Sequence, residues 1–255
     1  MTSRVAPRPV CCAERTGDHA VIVVSGELSG AAALGRLGPF VAIDNHGADE
    51  MPGPGWSPLS VLLDRPEVLS ARIEAVRESL AQRRPGTPGG PTPHRVAASV
   101  AHLGLVARLL APHIAGRALG LRVRLDPEQV WWRDELGGPL PLSCVLDPAP
   151  VEREPAVGEA VATLTEAVAG RHGVGARVAW GNVGSAANGA ASQIAAARPQ
   201  LAEAARAAAD RVLADPRVDG GALRTGPGFR RRSCCLIYRV FGRPEGLCGD
   251  CVLAG

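Results

Sequence analysis

Apolar residues recur at steps of three and four positions along several stretches of the chain, a spacing that places them on one face of an α-helix. The first stretch runs from Leu59 to Leu80 with a join near Pro66, and Ser57 is a candidate N-cap for it. The stretch 97–118 is the most apolar, and Pro112 is expected to kink or split it. Further helices are predicted over 157–169, 185–197 and 200–214.

A second pattern, strict alternation, predicts a small sheet in the middle of the chain. Leu121, Val123 and Leu125 alternate with arginines, as in a strand that buries one face. Short apolar runs at 130–132 and 140–146 supply further strands, and 235–240 is a short β-like run near the C-terminus. The two patterns together predict an α+β protein with one helix-rich body, a small mid-chain sheet and a C-terminal tail that bears cysteines.

Breaks in these patterns divide the chain into three parts. Residues 1–19 show no periodicity and are predicted to form a loose N-terminal arm, followed by a helix-rich domain over 20–220 that begins with a short strand at 20–25. A linker rich in proline and glycine is predicted at 85–93. The C-terminal segment 221–255 is set apart by its cysteines and its charge.

Charge and composition narrow the function classes. All 28 basic residues are arginine and the net charge is only +3. The segment 221–255 holds six arginines against Glu245 and Asp250, a balance of +4, so the positive charge is local. A nucleic-acid binder needs a broad basic face with aromatic readers, and the chain has only eight aromatic residues. No nucleic-acid partner is expected.

Apolar stretches interrupted by polar residues argue against a membrane-spanning helix, so an integral membrane protein is not expected. The N-terminal stretch lacks the apolar core of a signal peptide, and a cytoplasmic protein is therefore predicted. In a reducing compartment the seven cysteines are expected to remain thiols that serve metals or catalysis.

Four of these cysteines form a pattern near the C-terminus. Cys234 and Cys235 are adjacent, and after twelve further residues Cys248 and Cys251 form a Cys-x-x-Cys. Adjacent cysteines project divergently from an extended backbone, which suits a centre with two metals better than one. The spacing favours a 2Fe-2S cluster and leaves structural zinc, or a tail without metal, as alternatives.

The remaining cysteines and the conspicuous polar residues have simpler interpretations. Cys11 and Cys12 repeat the paired pattern but lie in the predicted loose arm. Cys144 stands among leucines and valine and is predicted to be a small core residue. Asn182 and Ser185 are expected to cap the alanine-rich helix.

The tail is also familiar as a motif. The run Arg-Arg-Ser-Cys-Cys-Leu-Ile-Tyr-Arg at 231–239, followed by Cys-Gly-Asp-Cys at 248–251, resembles the C-terminal signature of the FhuF-type ferric siderophore reductases. The gap between the two cysteine pairs is two residues longer here than in the family's usual pattern. Upstream, residues 179–186 resemble the family's Trp-Gly-Asn segment that opens a helix, and 107–112 resembles its earlier helix.

The resemblance implies a ferric siderophore reductase of iron homeostasis. Cys234, Cys235, Cys248 and Cys251 would bind a 2Fe-2S cluster that passes one electron to the Fe(III) of a siderophore and releases Fe(II). The electron would come from a separate donor, a ferredoxin or a flavin reductase. The competing hypothesis is a non-catalytic protein, stapled by zinc, that binds a siderophore or another partner.

Basic residues around the cysteines fit this chemistry, because a fixed cation near a cluster favours its reduced, more negative state. They are predicted to raise the cluster potential or to steer an anionic chelate or an acidic donor, and Trp180 is a candidate for lining a chelate pocket. The basic residues so assigned are Arg230, Arg231, Arg232 and Arg239.

Overall fold

The structure is a computed structural model that describes residues 29–83, 92–148, 155–242 and 247–253. Over these residues the chain forms eight α-helices and six short strands. The helices are α1 (Gly30–Gly35), α2 (Leu59–Asp64), α3 (Pro66–Gln82), α4 (His94–Ala118), α5 (Glu159–Arg171), α6 (Ala176–Ala197), α7 (Ala202–Leu213) and α8 (Tyr238–Phe241). The strands are β1 (Asp44–Asn45), β2 (Ser57–Pro58), β3 (Leu121–Val123), β4 (Val130–Trp132), β5 (Leu142–Cys144) and β6 (Leu146–Pro148). The predicted helix-rich α+β class is confirmed.

Helices α4 and α6 pack against each other at the centre of the body. Leucines and isoleucines on α4 meet a row of buried alanines on α6, and α3, α5 and α7 surround the pair. Each fully buried leucine or isoleucine contributes about 1.5–3 kcal/mol of hydrophobic free energy. This central pair carries the polar residues on which the C-terminal tail rests.

Helix α4 continues through Pro112 as one helix of 25 residues, so of the two effects predicted for this proline, a kink or a split, the split does not occur. It is also long and apolar enough to cross a membrane, contrary to the expectation that polar interruptions prevent this. Within the protein, 78% of its most apolar window is buried, so its composition is accounted for by its place in the core.

Arg108 joins α4 to the segments around it. Its guanidinium is buried and donates to the carbonyl oxygens of Leu140 at 2.6 Å and Phe40 at 2.8 Å, and also to that of Ala42. Burial lowers the pKa of Arg108 to about 10, so the group remains charged at neutral pH. One side chain thus supplies donors to three loop carbonyls that lack partners in a helix or strand.

The predicted mid-chain strands are confirmed. Strands β1, β5, β4 and β2 form a four-stranded sheet in that order, with β1 parallel to β5 and the other pairs antiparallel. Strands β3 and β6 form a separate antiparallel pair. Ser57 belongs to β2, opposite Trp132, and α2 begins after Pro58, so the prediction that Ser57 caps this helix is wrong.

Two local predictions near the tail are also wrong. Helix α6 begins at Ala176 and not at Ser185, because the small residues of this stretch pack inside the body as one long helix. The run 235–240, expected to be β-like, turns instead into α8. The predicted arm 1–19, the strand at 20–25, Cys11 and Cys12, and residues 85–91 of the linker lie outside the described residues.

Candidate metal centre

The four C-terminal thiols meet in two pairs. The Sγ atoms of Cys235 and Cys248 lie 3.9 Å apart, and Cys251 is a near neighbour of Cys234. The adjacent cysteines therefore take different partners. In the described part of the chain, no three Cys, His, Asp or Glu side chains are placed to hold one metal ion together. The arrangement is one of two thiol pairs, the number that a centre of two irons needs.

Local backbone conformation directs amide protons at the sulfur atoms. Leu236 has a φ of 70°, which is uncommon for a residue with a side chain, and its N–H donates to Cys234 Sγ at 3.3 Å. At the other segment, Cys251 N–H donates to the carbonyl of Cys248 at 3.0 Å, and Leu253 N–H donates to Cys251 Sγ at 3.4 Å. Such N–H donors stabilise negative charge on thiolate sulfur.

Arg231 is the cation of the site. Its side chain is only 1% exposed, although the neighbouring Arg230 and Arg232 are exposed. The guanidinium donates to Cys248 Sγ at 3.3 Å and to Asn182 Oδ1 at 2.8 Å. A buried arginine without compensating negative charge is costly, and the groups that supply this charge are the thiols of Cys235 and Cys248, when they ionise, and the carboxylate of Asp250.

The pKa values of the thiols follow from these contacts. The hydrogen bond with Cys248, helped by the charge of Arg231, lowers the pKa of Cys235 to about 5. The same hydrogen bond with Cys235 raises the pKa of Cys248. Burial raises the pKa of Cys234. Burial by itself would lower the pKa of Arg231, but the neighbouring thiols outweigh it, so the guanidinium stays charged. The site places a thiolate next to a fixed cation, the condition for binding metal.

Helix α6 provides the surface on which the tail docks. A Cβ at Gly181 would lie 2.0 Å from Ser233 Oγ, so only glycine allows the tail to approach this closely. One turn further on, Ser185 Oγ donates to Asp250 Oδ2 in the second cysteine segment. Asn182, between them, holds Arg231. The predicted capping roles of Asn182 and Ser185 are wrong, because both lie inside α6 and face the tail.

The other residues predicted to steer a ligand differ in exposure and in their contacts. Arg230 is exposed and donates to the carbonyl of Cys251 at 3.3 Å. Arg239 is exposed beside Tyr238. Trp180 is 6% exposed and is covered by the Arg217 guanidinium, 4.2 Å from the ring centre. Arg231 is too deeply buried to meet a ligand at the surface. Of the two roles predicted for it, steering a ligand is therefore excluded, and an effect on the reduction potential of the cluster remains.

The donor set fits a 2Fe-2S cluster. Four thiols in two pairs match the ligand number, and three N–H donors already point at three different sulfur atoms. The Nε of Arg231 is buried without an acceptor among the described residues, so further donor capacity remains for sulfur. Cys144, by contrast, is fully buried in the core, and burial raises the pKa of its thiol to about 12. Its predicted structural role is confirmed.

Comparison with known proteins agrees with this geometry. Residues 231–253 match the family described as the FhuF 2Fe-2S C-terminal domain. No curated protein matches the chain. The site therefore defines an iron-sulfur protein with a 2Fe-2S cluster as its cofactor. The similarity to the FhuF-type domain lies in the C-terminal tail, which is FhuF-like over the matched residues.

Several residues of the site were not assigned to it from the sequence. Asn182, Ser185 and Asp250 hold the tail, and His102 supports Asn182 from α4. The Trp-Gly-Asn segment is a sequence signal for Asn182, since it belongs to the motif that resembles the FhuF-type reductases. For His102 the sequence offered no signal, because a histidine on an apolar helix is most often a packed core residue.

Proposed function

We propose that the protein is a cytoplasmic ferric siderophore reductase, in which a body over about 20–220 presents the chelate to the tail at 221–255. The observation that carries the proposal is the pairing of the four thiols within a 2Fe-2S domain. In each pair one sulfur is buried, that of Cys235 or Cys251, and one belongs to a half-buried residue, Cys234 or Cys248. The half-buried members give the centre an edge near solvent, where a chelate and a donor can approach.

The four cysteines would hold the cluster, one iron for each thiol pair. When bound, a 2Fe-2S cluster supplies transfer of a single electron. The electron donor would be a separate ferredoxin or flavin reductase, and the acceptor would be the chelated Fe(III), which would become Fe(II). Hard oxygen chelators hold Fe(II) far less tightly, so reduction releases the iron without breaking a covalent bond of the chelator. No general acid, base or nucleophile is required.

Arg231 contributes by its charge. A fixed unit positive charge about 5 Å from an added electron favours that electron by about 3 kcal/mol at an effective dielectric constant near 20. Solvent weakens this effect little for Arg231, which is 1% exposed, and much more for the exposed Arg230 and Arg232. Arg231 therefore raises the reduction potential and eases delivery of the electron from the donor.

The test is to purify the full chain without oxygen and measure metal, sulfide and activity together. The proposal requires a red-brown protein with about two irons and two sulfides per chain, a paramagnetic signal after dithionite, and reduction of a ferric siderophore. A colourless protein with about one zinc and no signal would establish the zinc-stapled alternative. A cluster that reduces no ferric chelate would remove the reductase assignment.

A further inference from the structure

A cleft opens on the surface beside the tail, between the start of α6 and the segment that follows α7. It has a volume of about 540 Å³, and Arg177, Trp180, Arg217, Asp219 and Arg232 are among the residues that line it. This volume lies within the usual range for small-molecule sites, roughly 300–1,000 Å³. A concave site of this size suits a compact chelate better than the face of a donor protein.

Two of the three arginines have guanidinium groups that are free to meet a ligand. Arg177 is exposed and forms no hydrogen bond or ion pair with the residues the structure describes. Among the residues that the structure describes, the guanidinium of Arg232 donates a hydrogen bond only to the carbonyl oxygen of Asp219, at 3.4 Å. Arg217 is different, because Asp215 pairs with it at 2.8 Å while it lies over the ring of Trp180. The cleft thus has one side formed by the stacked Trp180 and Arg217, and two further guanidinium groups that can meet a ligand.

The cleft lies close in the chain to the half-buried Cys234. Arg232 precedes Cys234 by two residues, so their Cα atoms are at most about 7 Å apart. Ser233, between them, packs against Gly181, the neighbour of Trp180. A ligand seated against Arg232 would therefore lie beside the chain segment that carries the half-buried Cys234.

We propose that this cleft binds the ferric chelate and that it selects chelates of net negative charge, of the catecholate or hydroxycarboxylate class. The inference rests on the proposed function and adds its substrate class. Asp219 supplies the one carboxylate among the lining residues named above, and its Oδ2 accepts the backbone N–H of Arg232 at 3.1 Å. The positive charges of Arg177 and Arg232 then favour chelates of net negative charge.

Gallium(III) chelates test the binding separately from electron transfer, because Ga(III) resembles Fe(III) in size and charge but is not reduced. The cluster-loaded full chain should bind the gallium complex of a tris-catechol, which is anionic, more tightly than that of a trihydroxamate, which is neutral. Changing Arg177→Gln and Arg232→Gln together should weaken the anionic complex at least about tenfold and leave the neutral one unchanged. Arg36→Gln, an exposed change outside the cleft, is the matched control.

The outcomes separate this inference from the proposed function. The proposal that the cleft binds the chelate is overturned if the double variant binds the gallium complexes as tightly as the parent does. It is also overturned if the parent binds the anionic and the neutral complex with equal affinity, even if ferric chelates are reduced. A double variant that binds gallium chelates normally but requires more donor protein would assign the arginines to the donor instead, and this also overturns it. Tight binding that depends on the two arginines, without reduction of the iron complex, would support chelate binding in the cleft and contradict the assignment as a reductase.

A second inference rests on a separate observation, a buried chain of hydrogen bonds behind Arg231. Thr165 donates its hydroxyl proton to the Val161 carbonyl at 2.6 Å, so His102 Nε2–H must donate to Thr165 Oγ1 at 3.1 Å. His102 Nδ1 is then an acceptor for the amide of Asn182, at 3.3 Å. The Asn182 amide nitrogen also donates to the Ser99 carbonyl at 3.1 Å.

This chain fixes which end of the Asn182 amide meets the tail. With its nitrogen committed to α4, its oxygen faces Arg231 and accepts at 2.8 Å. We infer that Asn182 is a positioning residue, which orients the guanidinium so that its other nitrogen donates to Cys248 Sγ. Removing the amide would free the guanidinium to turn and would weaken its effect on the charge at the sulfur.

The midpoint potential of the cluster distinguishes positioning from a merely structural role. Asn182→Ala should shift the potential to a more negative value, and Asn182→Asp should shift it further because a carboxylate compensates the cation. Asn188→Ala is the matched control, since this asparagine also lies on α6 but accepts from Gly226 N–H and does not contact Arg231. A loss of thermal stability in Asn182→Ala with an unchanged potential and paramagnetic spectrum would overturn the inference.

Discussion

Cys235 and Cys248 are thirteen positions apart in the chain, yet their sulfur atoms lie 3.9 Å apart. Cys234, the neighbour of Cys235, faces Cys251 instead. Cys234 and Cys235 are adjacent in the chain, yet each is paired with a different cysteine of the second segment. This pairing distinguishes the arrangement from one in which all four thiols surround a single ion.

Loss of one thiol from either pair should abolish the cluster. Cys248→Ser and Cys251→Ser are each expected to lose the visible absorption and the reductase activity, while the helical content by circular dichroism stays near that of the parent. The helices should survive because the hydrophobic core lies in the body. Cys144→Ala, in that core, is the control and should keep the cluster. Full absorption in Cys251→Ser would contradict the ligand assignment.

Gly181 tests how closely the tail must dock. Gly181→Ala places a Cβ 2.0 Å from Ser233 Oγ and is expected to loosen the tail, seen as easier release of iron to a chelator. The hydroxyl of Ser233 is buried without a hydrogen-bond partner among the described residues, so Ser233→Ala should cost little by itself. The double change should restore retention of iron. If it fails to do so, the contact between these two residues is not what limits docking.

His102 should make stability depend on pH. Burial lowers its pKa in the folded protein to about 3, from about 6.5 when unfolded, so the unfolded chain binds a proton that the folded chain does not. The free energy of unfolding therefore decreases as the pH falls below about 6.5, by about 1.4 kcal/mol per pH unit.

Denaturant titrations at pH 7.5 and 5.5 measure this effect. Between the two values, His102→Gln should lose about 1 kcal/mol less unfolding free energy than the parent. The difference between the two proteins removes the contributions of His46 and His172, whose pKa values burial also lowers. Equal losses in parent and variant would mean that His102 is protonated in the folded state.

Arg108 should be a major contributor to the stability of the body. Arg108→Met leaves the carbonyls of Phe40, Ala42 and Leu140 without their donor and should lower the free energy of unfolding by about 3–5 kcal/mol. The exposed Arg95 on the same helix is the control, and Arg95→Gln should change it by less than about 0.5 kcal/mol. A loss below about 1 kcal/mol for Arg108→Met would show that water replaces the guanidinium.

Much of the fold could be predicted because helical and strand patterns are local. The periodicity of 97–118 and the alternation at 121–125 both correspond to observed elements. Predictions failed where tertiary packing overrode a local preference. The stretch 176–184 joins α6 because its small residues pack against the body, and Ser57 pairs in a strand although its side chain could cap a helix.

The sequence by itself indicated a thiol centre and favoured a 2Fe-2S cluster over zinc, because the type and spacing of the cysteines are properties of a short segment. It also determined that arginines lie beside them. It could not distinguish Arg231 from Arg230 and Arg232, which are identical in type and adjacent in position. Only the tertiary structure decided that Arg231 is buried on Cys248 and held by Asn182, since burial depends on which distant helix face receives the side chain.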